Sequence, residues 1–413
     1  MPHNNPFFHG NPVPSDQLVG RNKELRDIAE RIMTGQSTAL TGSPRSGKTS
    51  ILQYLKASEK QATLYDGKAC QLIFSYMDAY TWGTQFNQAQ FWESALKPIQ
   101  ERINADDTEP SLSEAYQICQ QNEFGNYVLE KFIAYIKQAN WQLVLMVDGF
   151  DILLHHPILN SVEFFGSLRA LVSRSQGALV LIITGNTPLS QLGTEAQHFS
   201  RTTSPYFNFI EEIILGPLSD TEINQLLELG KEHFTENDID FIKDIAGGHP
   251  YLLQVAASGL WKHKLYENKA YEKEPFKRQQ QTQKFYFQVE DALDKMRQSW
   301  SASMQKAFTS VAFAQMKQLK GVFKRQGINV ESISRLIPSL KRDLELLKLY
   351  GFVMEDESIA GGWRICSSIF LHFIILNFKQ EYRDELPKEV WDNLFMPKFG
   401  DELKKMGFPF FKL

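Results

Sequence analysis

The feature that most constrains the fold is a loop of the pattern Gly-x-x-x-x-Gly-Lys-Thr at residues Gly42–Thr49. An apolar stretch, Thr38–Thr41, precedes the loop, and a stretch with helical spacing of Ile51, Leu52 and Leu55 follows it. In loops of this kind the glycines let backbone N–H groups turn inward around phosphate groups. The lysine then reaches the terminal phosphates, and the threonine hydroxyl ligates Mg²⁺. The pattern therefore predicts a strand, a phosphate-binding loop and a helix in succession.

The order of apolar runs predicts an α/β fold with the parallel sheet of a P-loop NTPase. From Leu18 onward, short runs rich in strand-forming residues alternate with helical patterns, as they do in parallel α/β proteins. The predicted strands lie near Ser37–Thr41, Cys70–Tyr76, Gln142–Val147, Ala178–Thr184 and Phe207–Leu215.

The pattern changes to helices alone at Ser219–Glu222, which has capping-box spacing. Further on, helical patterns are followed by two short strands, Phe352–Met354 and Trp363–Cys366, and this succession is typical of a winged helix. The predicted segments are an N-terminal extended arm (1–17), an ATPase core (18–217), a helical lid (218–263), a linker or hinge helix (264–296), a winged-helix domain (297–385) and a C-terminal tail (386–413).

Composition argues against several other classes of protein. The net charge of −4, from 44 basic and 48 acidic side chains, gives no overall attraction to nucleic acid or acidic lipid. Cys70, Cys119 and Cys366 are widely spaced, and we expect buried thiols in a reducing compartment. No apolar run reaches the roughly 18 residues of a membrane helix, and the polar start resembles no secretory signal. We therefore expect a cytoplasmic protein without membrane contact.

An acidic residue follows the strand predicted in the middle of the core. Leu143–Val147 is apolar, and Asp148 stands at its carboxyl end, where it can hold Mg²⁺, usually through water. Asp151 could then polarise the attacking water. Alternatively, Asp148 caps the following turn, and Asp151 is a capping or solvated residue.

Three further positions could contact the nucleotide, and each also has an ordinary structural explanation. Asn186 follows a strand and could sense a γ-phosphate, with Thr184 as the fallback, or it could simply form a turn. Arg201 could act on the γ-phosphate in its own site or in a neighbour's, or it could be an ordinary exposed arginine. Gly247–Pro250 could end one helix and start the next, or it could form a lid that contacts the nucleotide.

Together these motifs resemble the STAND branch of AAA-like ATPases, the bacterial relatives of NACHT and apoptosis-type signalling NTPases. Leu18–Leu25 is similar to the family's hhGRxxEL entry motif, Asp148–Asp151 to its NACHT-style Walker B motif, and Gly248–Pro250 to the GxP element of its lid. The resemblance covers residues 18 to about 380. It implies a sheet in the order 5-1-4-3-2, a helical lid, a winged helix and a switch controlled by ATP and ADP with Mg²⁺.

The resemblance also implies roles for individual residues. Two positions depart from related families: Gly149 stands where many AAA+ proteins have a catalytic glutamate, and Asn186 where many STAND members have a sensor arginine. Hydrolysis would therefore be slow and depend on Asp151. The implied catalytic residues are Lys48, Asp148, Asp151, Asn186 and Arg201; the implied metal ligands are Thr49 and Asp148; the implied nucleotide contacts are Val19, Gly20, Arg21, Gly42, Pro44, Arg45, Ser46, Gly47, Lys48, Thr49, Ser50, His249 and Pro250.

Two functions fit this pattern. The first is a regulatory ATPase of bacterial signalling or antiviral defence, which assembles with nucleotide and acts with a separate effector or sensor protein. The alternative is an AAA+ ATPase for DNA transactions, of the origin-recognition or transposition-regulator type, that binds DNA through its winged helix. The candidate recognition helix Ser339–Tyr350 has charges of both signs, and the wing Glu355–Glu357 is acidic, which disfavours phosphate contact. The basic run Lys317–Arg325 keeps DNA as an alternative to the favoured protein contacts.

Overall fold

The protein is described by a computed structural model that covers residues 5–105, 110–190, 192, 207–267, 275–315, 337–359 and 361–381. Its contacts group the chain into two units. An α/β unit comprises 12–42 and 47–215, and a helical unit comprises the residues up to 11, 43–46 and those from 216 onward. Residues 43–46 of the phosphate-binding loop thus group with the helical unit.

The α/β unit is built on five parallel strands in the order β2-β3-β4-β1-β5, which confirms the predicted 5-1-4-3-2 order. The strands are β1 (Ser37–Thr41), β2 (Leu72–Asp78), β3 (Gln142–Asp148), β4 (Leu179–Gly185) and β5 (Ile210–Ile214). Strand β2 begins two residues later than predicted because Asp66–Gln71 form a 3₁₀ turn. Strands β4 and β5 are displaced or shortened by one to three residues at their ends.

Apolar side chains on both faces of the sheet explain why its central strands are almost wholly apolar. In β3, Leu143, Leu145 and Val147 pack into one buried cluster, whereas Val144 and Met146 pack into another on the opposite face. The helices of this unit are α1 (Asn22–Met33), α2 (Lys48–Lys56), α3 (Ser58–Tyr65), α4 (Gln88–Ala105), α5 (Pro110–Gln121), α6 (Asn126–Gln138) and α7 (Val162–Arg174).

The helical unit begins at the predicted capping box, in which the Ser219 side chain accepts from the Glu222 N–H. Its helices are α8 (Asp220–Glu228), α9 (Glu236–Ala246), α10 (Pro250–Glu267), α11 (Pro275–Gln298), α12 (Ala302–Gln315), α13 (Lys341–Leu349) and α14 (Ser368–Glu381). Helix α10 begins at Pro250, as expected if Gly247–Pro250 ends one helix and starts the next, and it continues to Glu267. Much of the expected linker is therefore helix, because it extends α10 and forms most of α11.

A small antiparallel hairpin follows α13, made of β6 (Val353–Glu355) and β7 (Trp363–Ile365). Trp300, Phe308, Phe352 and Phe370 pack together and join α12, the start of the hairpin and α14 in one aromatic core. The second helix of the expected winged helix and the tail 386–413 lie outside the described residues. The winged helix and the domain bounds therefore stay predictions.

Two expectations, one on the burial of the cysteines and one on membrane-spanning helices, can be compared with the described residues. Cys119 is buried, but Cys70 is exposed, contrary to the expectation of three buried thiols, because it lies in the 3₁₀ turn before β2. Within the described ranges, every helix is too short or too polar to cross a bilayer.

Candidate functional site

The loop Gly42–Thr49 joins the end of β1 to the start of α2. Arg45 has φ 63° and Gly47 has φ 100°, so two residues of the loop adopt the left-handed backbone conformation before the helix begins. A Cβ on Gly47 would meet no atom within 4 Å, so the glycine is required by backbone conformation rather than by space. The N-terminal N–H groups of a helix formed in this way can bind phosphate.

Lys48 occupies the centre of the site. Its Nζ donates to the carbonyl oxygen of Gly42 over 2.8 Å and to Asn186 Oδ1 over 3.0 Å. Burial lowers the pKa of Lys48 to about 8, against the opposing effect of the nearby Asp151 and Asp148 carboxylates. A buried ammonium held by two neutral oxygens is suited to exchange them for phosphate oxygens.

Asp148 lies at the end of β3 and accepts hydrogen bonds from three hydroxyl groups. Thr49 Oγ1 donates to Oδ2 over 2.7 Å, Tyr76 donates to the same oxygen over 3.1 Å, and Thr184 Oγ1 donates to Oδ1. Burial, and then the Asp148 charge, raises the pKa of Tyr76, so this phenol stays protonated. Thr184 also accepts from the Gly149 N–H over 2.8 Å. The carboxylate, 8% exposed, is therefore fixed in orientation.

Asp151 and Asn186 form the other side of the site. Asp151 Oδ2 accepts from the Asn186 backbone N–H over 2.9 Å, while Oδ1 is buried without a hydrogen-bond partner among the described residues. The Asn186 side chain bonds Lys48, so Asn186 is more than a turn residue. The geometry brings Lys48, Thr49 and the two carboxylates together with Asn186. Their roles remain predictions.

Sequence reasoning missed two tyrosines that follow from the position of β2. Tyr76 lies on β2 beside Asp148, and Tyr80 follows β2 and lies over Gly149. The register that pairs Asp78 with Asp148 brings the ends of β2 and β3 together. Only the β2–β3 pairing could have revealed these residues, since nothing in their local pattern marks them.

A magnesium ion fits the donors at this site. Mg²⁺ in nucleotide enzymes is commonly held by one or two carboxylates or hydroxyls together with substrate phosphates and water. Thr49 and Asp148 present a hydroxyl and a carboxylate of that kind, already in contact with each other. The described ranges contain no cluster of three acidic, histidine or cysteine side chains that could hold a metal ion.

The predicted entry motif lies at the start of α1. Gly20 and Arg21 are left-handed, with φ 78° and 62°. Arg21 is 4% exposed, and its Nη1 pairs with Glu24 over 3.1 Å, while Val19 is partly buried. Ser50, on the first turn of α2, accepts from the Val13 N–H over 3.0 Å. The chain before α1 is thus attached to the helix that follows the phosphate loop.

Loop residues 43–46 contact the predicted lid within the helical unit. His249 Nε2 lies 3.1 Å from Ser43 Oγ, and the His249 ring stacks on Phe352 with centroids 6.1 Å apart. The Arg45 guanidinium lies 4.4 Å from the Tyr251 ring centroid. Ser46 is buried, and Pro44 and Pro250 are partly buried. Arg201 lies outside the described residues.

Comparisons agree with this architecture. The model of a family described as an AAA-like domain matches residues 11–336. A Walker-type ATPase of Pyrococcus abyssi superposes with a TM-score of 0.53 at 16% identity, over 89% of this chain and 99% of that one. The Aeropyrum pernix ORC2 protein, in ADPNP–ADP complexes, gives 0.47 at 13% identity over 91% and 98%, and its ORC1 protein, in complex with DNA, gives 0.39 at 11% over 89% and 94%.

No curated protein sequence matches the chain. The family match covers most of its length, and the superposition on the Pyrococcus enzyme supports the same fold. The five-stranded order with the phosphate loop after β1 is that of Walker-type ATPases. The chain therefore belongs to the AAA-like domain family.

Proposed function

We propose that this protein is a slowly hydrolysing ATPase that works as a nucleotide-controlled regulatory switch. The observation that carries the proposal is the position of Lys48, between the phosphate loop and Asn186 and beside Asp148 and Asp151. On binding ATP, the ammonium would exchange Gly42 and Asn186 oxygens for terminal phosphate oxygens. ATP and ADP would thus be the ligands that the site distinguishes.

The residues also support a hydrolytic mechanism. Thr49 and Asp148 would hold Mg²⁺, which supplies charge neutralisation for the terminal phosphates when it is bound. The unpartnered Oδ1 of Asp151 would accept a proton from water as the water oxygen bonds to the γ-phosphorus. The bond between the γ-phosphorus and the bridging oxygen breaks, and ADP and phosphate leave.

Slow turnover is expected because Gly149 provides no side chain where many AAA+ proteins have a glutamate. A Cβ at this position would lie 2.4 Å from Tyr80 Cε2, and the residue has φ 73°. The site therefore depends on Asp151 as its acid–base group.

The regulatory part of the proposal rests on the helical unit. His249 connects Ser43 of the phosphate loop to Phe352 beside the hairpin, and both contacts lie within that unit. A ligand that binds two conformations equally well does not change their populations. ATP differs from ADP by its γ-phosphate, so the switch must depend on that group. We propose a STAND-type switch with a C-terminal winged helix and nucleotide-dependent self-assembly. It would act with a separate effector or sensor protein in bacterial signalling or defence.

Binding and turnover of purified wild-type protein test the proposal. Nucleotide affinity is measured by calorimetry with ATP and with ADP in Mg²⁺, and turnover is measured by phosphate release. Both are compared among the wild type, Lys48→Ala and the control Lys97→Ala, in which the replaced lysine is 70% exposed on α4. We expect Lys48→Ala alone to lose tight binding and turnover. Sizing in ADP and in a non-hydrolysable ATP analogue then tests assembly. Wild-type affinity in folded Lys48→Ala would refute the site, and unchanged size in both nucleotides would refute the assembly switch.

A further inference from the structure

Tyr80 has an unusual environment for a large aromatic residue. It lies in the 3₁₀ turn Ala79–Thr81 that follows β2, and its side chain is 65% exposed. The turn is well fixed, because Asp78 accepts from the Tyr80 N–H over 3.0 Å and Thr81 Oγ1 donates to the Asp78 carbonyl over 2.7 Å. Hydrophobic burial does not explain this position of the ring.

The ring lies directly against Gly149, one residue after Asp148. A Cβ built on Gly149 would lie 2.4 Å from Tyr80 Cε2 and 2.8 Å from Cδ2. Both distances are far below van der Waals contact. The Tyr80 ring therefore fills the space that any side chain at position 149 would take.

Tyr80 lies close to Asp151 and Asn186, two of the residues around Lys48. Partial burial, and next the charge of Asp151, raise the pKa of Tyr80, and the Asn186 side chain has the opposite effect. The net shift is upward, so the phenol keeps its proton. Asn186 Oδ1 accepts from Lys48 Nζ over 3.0 Å, so the side chain near Tyr80 is itself in contact with the lysine of the phosphate loop. Because the phenol keeps its proton, its O–H can donate to a ligand.

We propose that Tyr80 is a catalytic residue whose hydroxyl donates a hydrogen bond to a γ-phosphoryl oxygen during hydrolysis. The proposal rests on the ATPase function proposed above. The water oxygen forms a bond to the γ-phosphorus, the bond to the bridging oxygen of ADP breaks, and Asp151 takes the water proton. Tyr80 transfers no proton. Its hydrogen bond strengthens as charge develops on the phosphoryl oxygens.

A phosphoryl oxygen suits Tyr80 better than the attacking water does. Asp151 Oδ1 already offers the water an acceptor. The terminal phosphate, by contrast, needs donors, and Lys48 supplies a single ammonium on one side of it. The protonated phenol of Tyr80, in the turn that follows β2, supplies another donor.

Tyr80→Phe is the decisive variant, since it keeps the ring over Gly149 and removes only the hydroxyl. We expect kcat to fall roughly 10²-fold, the size seen when one oxyanion donor is removed. The affinity for ADP should stay within about twofold, whereas the affinity for ADP with aluminium fluoride should fall by a factor close to that in kcat. Tyr127→Phe, a change at an exposed tyrosine of α6, is the matched control and should leave all three values unchanged.

Two results would overturn the proposal. Wild-type kcat in Tyr80→Phe, with Lys48→Ala inactive, would remove Tyr80 from catalysis and leave the ATPase function standing. Absent turnover in the wild type would overturn the hydrolytic function and this role together.

A stability measurement tests the placement of the ring independently. Gly149→Ala should lower Tm in the wild type and lower it less in a Tyr80→Ala background, because the clash is then relieved and only the strain of φ 73° remains. Equal losses of Tm in the two backgrounds would refute the contact and the proposal.

Discussion

Thr49 Oγ1 donates to Asp148 Oδ2 over 2.7 Å, so the first helix after the phosphate loop and strand β3 are joined by one hydrogen bond. Tyr76, from β2, donates to the same oxygen over 3.1 Å. Two sequence-distant elements, α2 and β2, therefore meet at a single carboxylate oxygen of β3. Tyr76 would keep Asp148 oriented when Thr49 and Asp148 hold Mg²⁺.

Asp148→Asn should weaken the Mg²⁺-dependent part of ATP binding. Asparagine keeps the shape but loses the charge that a hard cation prefers. We expect the gain in ATP affinity on adding Mg²⁺ to fall at least about tenfold. Calorimetry across a Mg²⁺ titration measures it, with Glu101→Gln on the exposed face of α4 as the control. A Mg²⁺ response equal to the wild type would place the metal ligand elsewhere.

Asp151→Asn should lower turnover and leave nucleotide affinity intact. Its Oδ2 contact with the Asn186 N–H can be kept by the amide oxygen, so the loop should hold its shape. Loss of a general base costs about 10²- to 10⁴-fold in rate. Phosphate release and ADP calorimetry separate the two effects. Turnover equal to the wild type would reduce Asp151 to a structural role.

Sequence patterns predicted the parts of the site that lie in short contiguous segments. The phosphate loop is local, and Asp148 follows an apolar run, so pattern alone places both at the carboxyl edge of the sheet. The strand order came from the family resemblance. The observed strand order agrees with the predicted one, because β1 pairs with both β4 and β5.

The rest of the site depends on contacts between segments far apart in sequence. Tyr76 and Tyr80 reach Asp148 and Gly149 through the β2–β3 register, and Asn186 reaches Lys48 across 138 positions. Periodicity does not encode such pairings.

Nucleotide affinity should fall as pH rises above about 8. Burial lowers the pKa of Lys48 to about 8 in the nucleotide-free protein, whereas bound phosphate favours the ammonium. Below that pH the lysine is already charged, and above it binding must take up a proton, which costs up to about tenfold in Kd per pH unit. Calorimetry in buffers of different ionisation enthalpy measures the proton uptake. A Kd constant from about pH 7 to about pH 9.5 would contradict this.

The N-terminal segment should detach from the helical unit as pH falls. Phe7 stacks on Phe234 at 5.7 Å and Asn5 Nδ2 donates to Ser258 Oγ over 2.8 Å. Burial first, and then Lys262 and Arg45, lower the pKa of His9. The docked segment therefore prefers neutral His9, so docking is complete above the ordinary pKa of about 6.5 and weakens below it.

Hydrogen exchange at residues 5–11 should accordingly rise between about pH 7 and about pH 5. His9→Gln should remove this pH dependence. Phe7→Ala should raise exchange at every pH, since it removes a ring that is 4% exposed and costs about 3 kcal/mol. Protection of wild type that is equal at both pH values would exclude the His9 contribution.

Charge pairing around the hairpin bears on whether the C-terminal part binds DNA. Lys348 Nζ pairs with Glu355, and Arg364 Nε lies 3.6 Å from Asp356 Oδ2. Two cations near the predicted recognition helix and wing are thus matched by acids from the same hairpin. Non-specific affinity for duplex DNA depends on unmatched cations that release counterions. The pairs therefore weaken the attraction of this helix and hairpin for DNA phosphates.

We expect wild-type protein to bind a 30-base-pair duplex no more tightly than about 10 μM at about 0.15 M salt, the range of non-specific binding. Glu355→Gln with Asp356→Asn should tighten binding and steepen its salt dependence, because Lys348 then keeps the more distant Glu345, at 4.0 Å, and Arg364 loses the Asp356 charge. Fluorescence anisotropy over a salt series measures both. Tight salt-sensitive binding by the wild type, lost in Lys341→Ala with Arg342→Ala, would instead favour a DNA-transaction ATPase, since those cations would then be contacting phosphates.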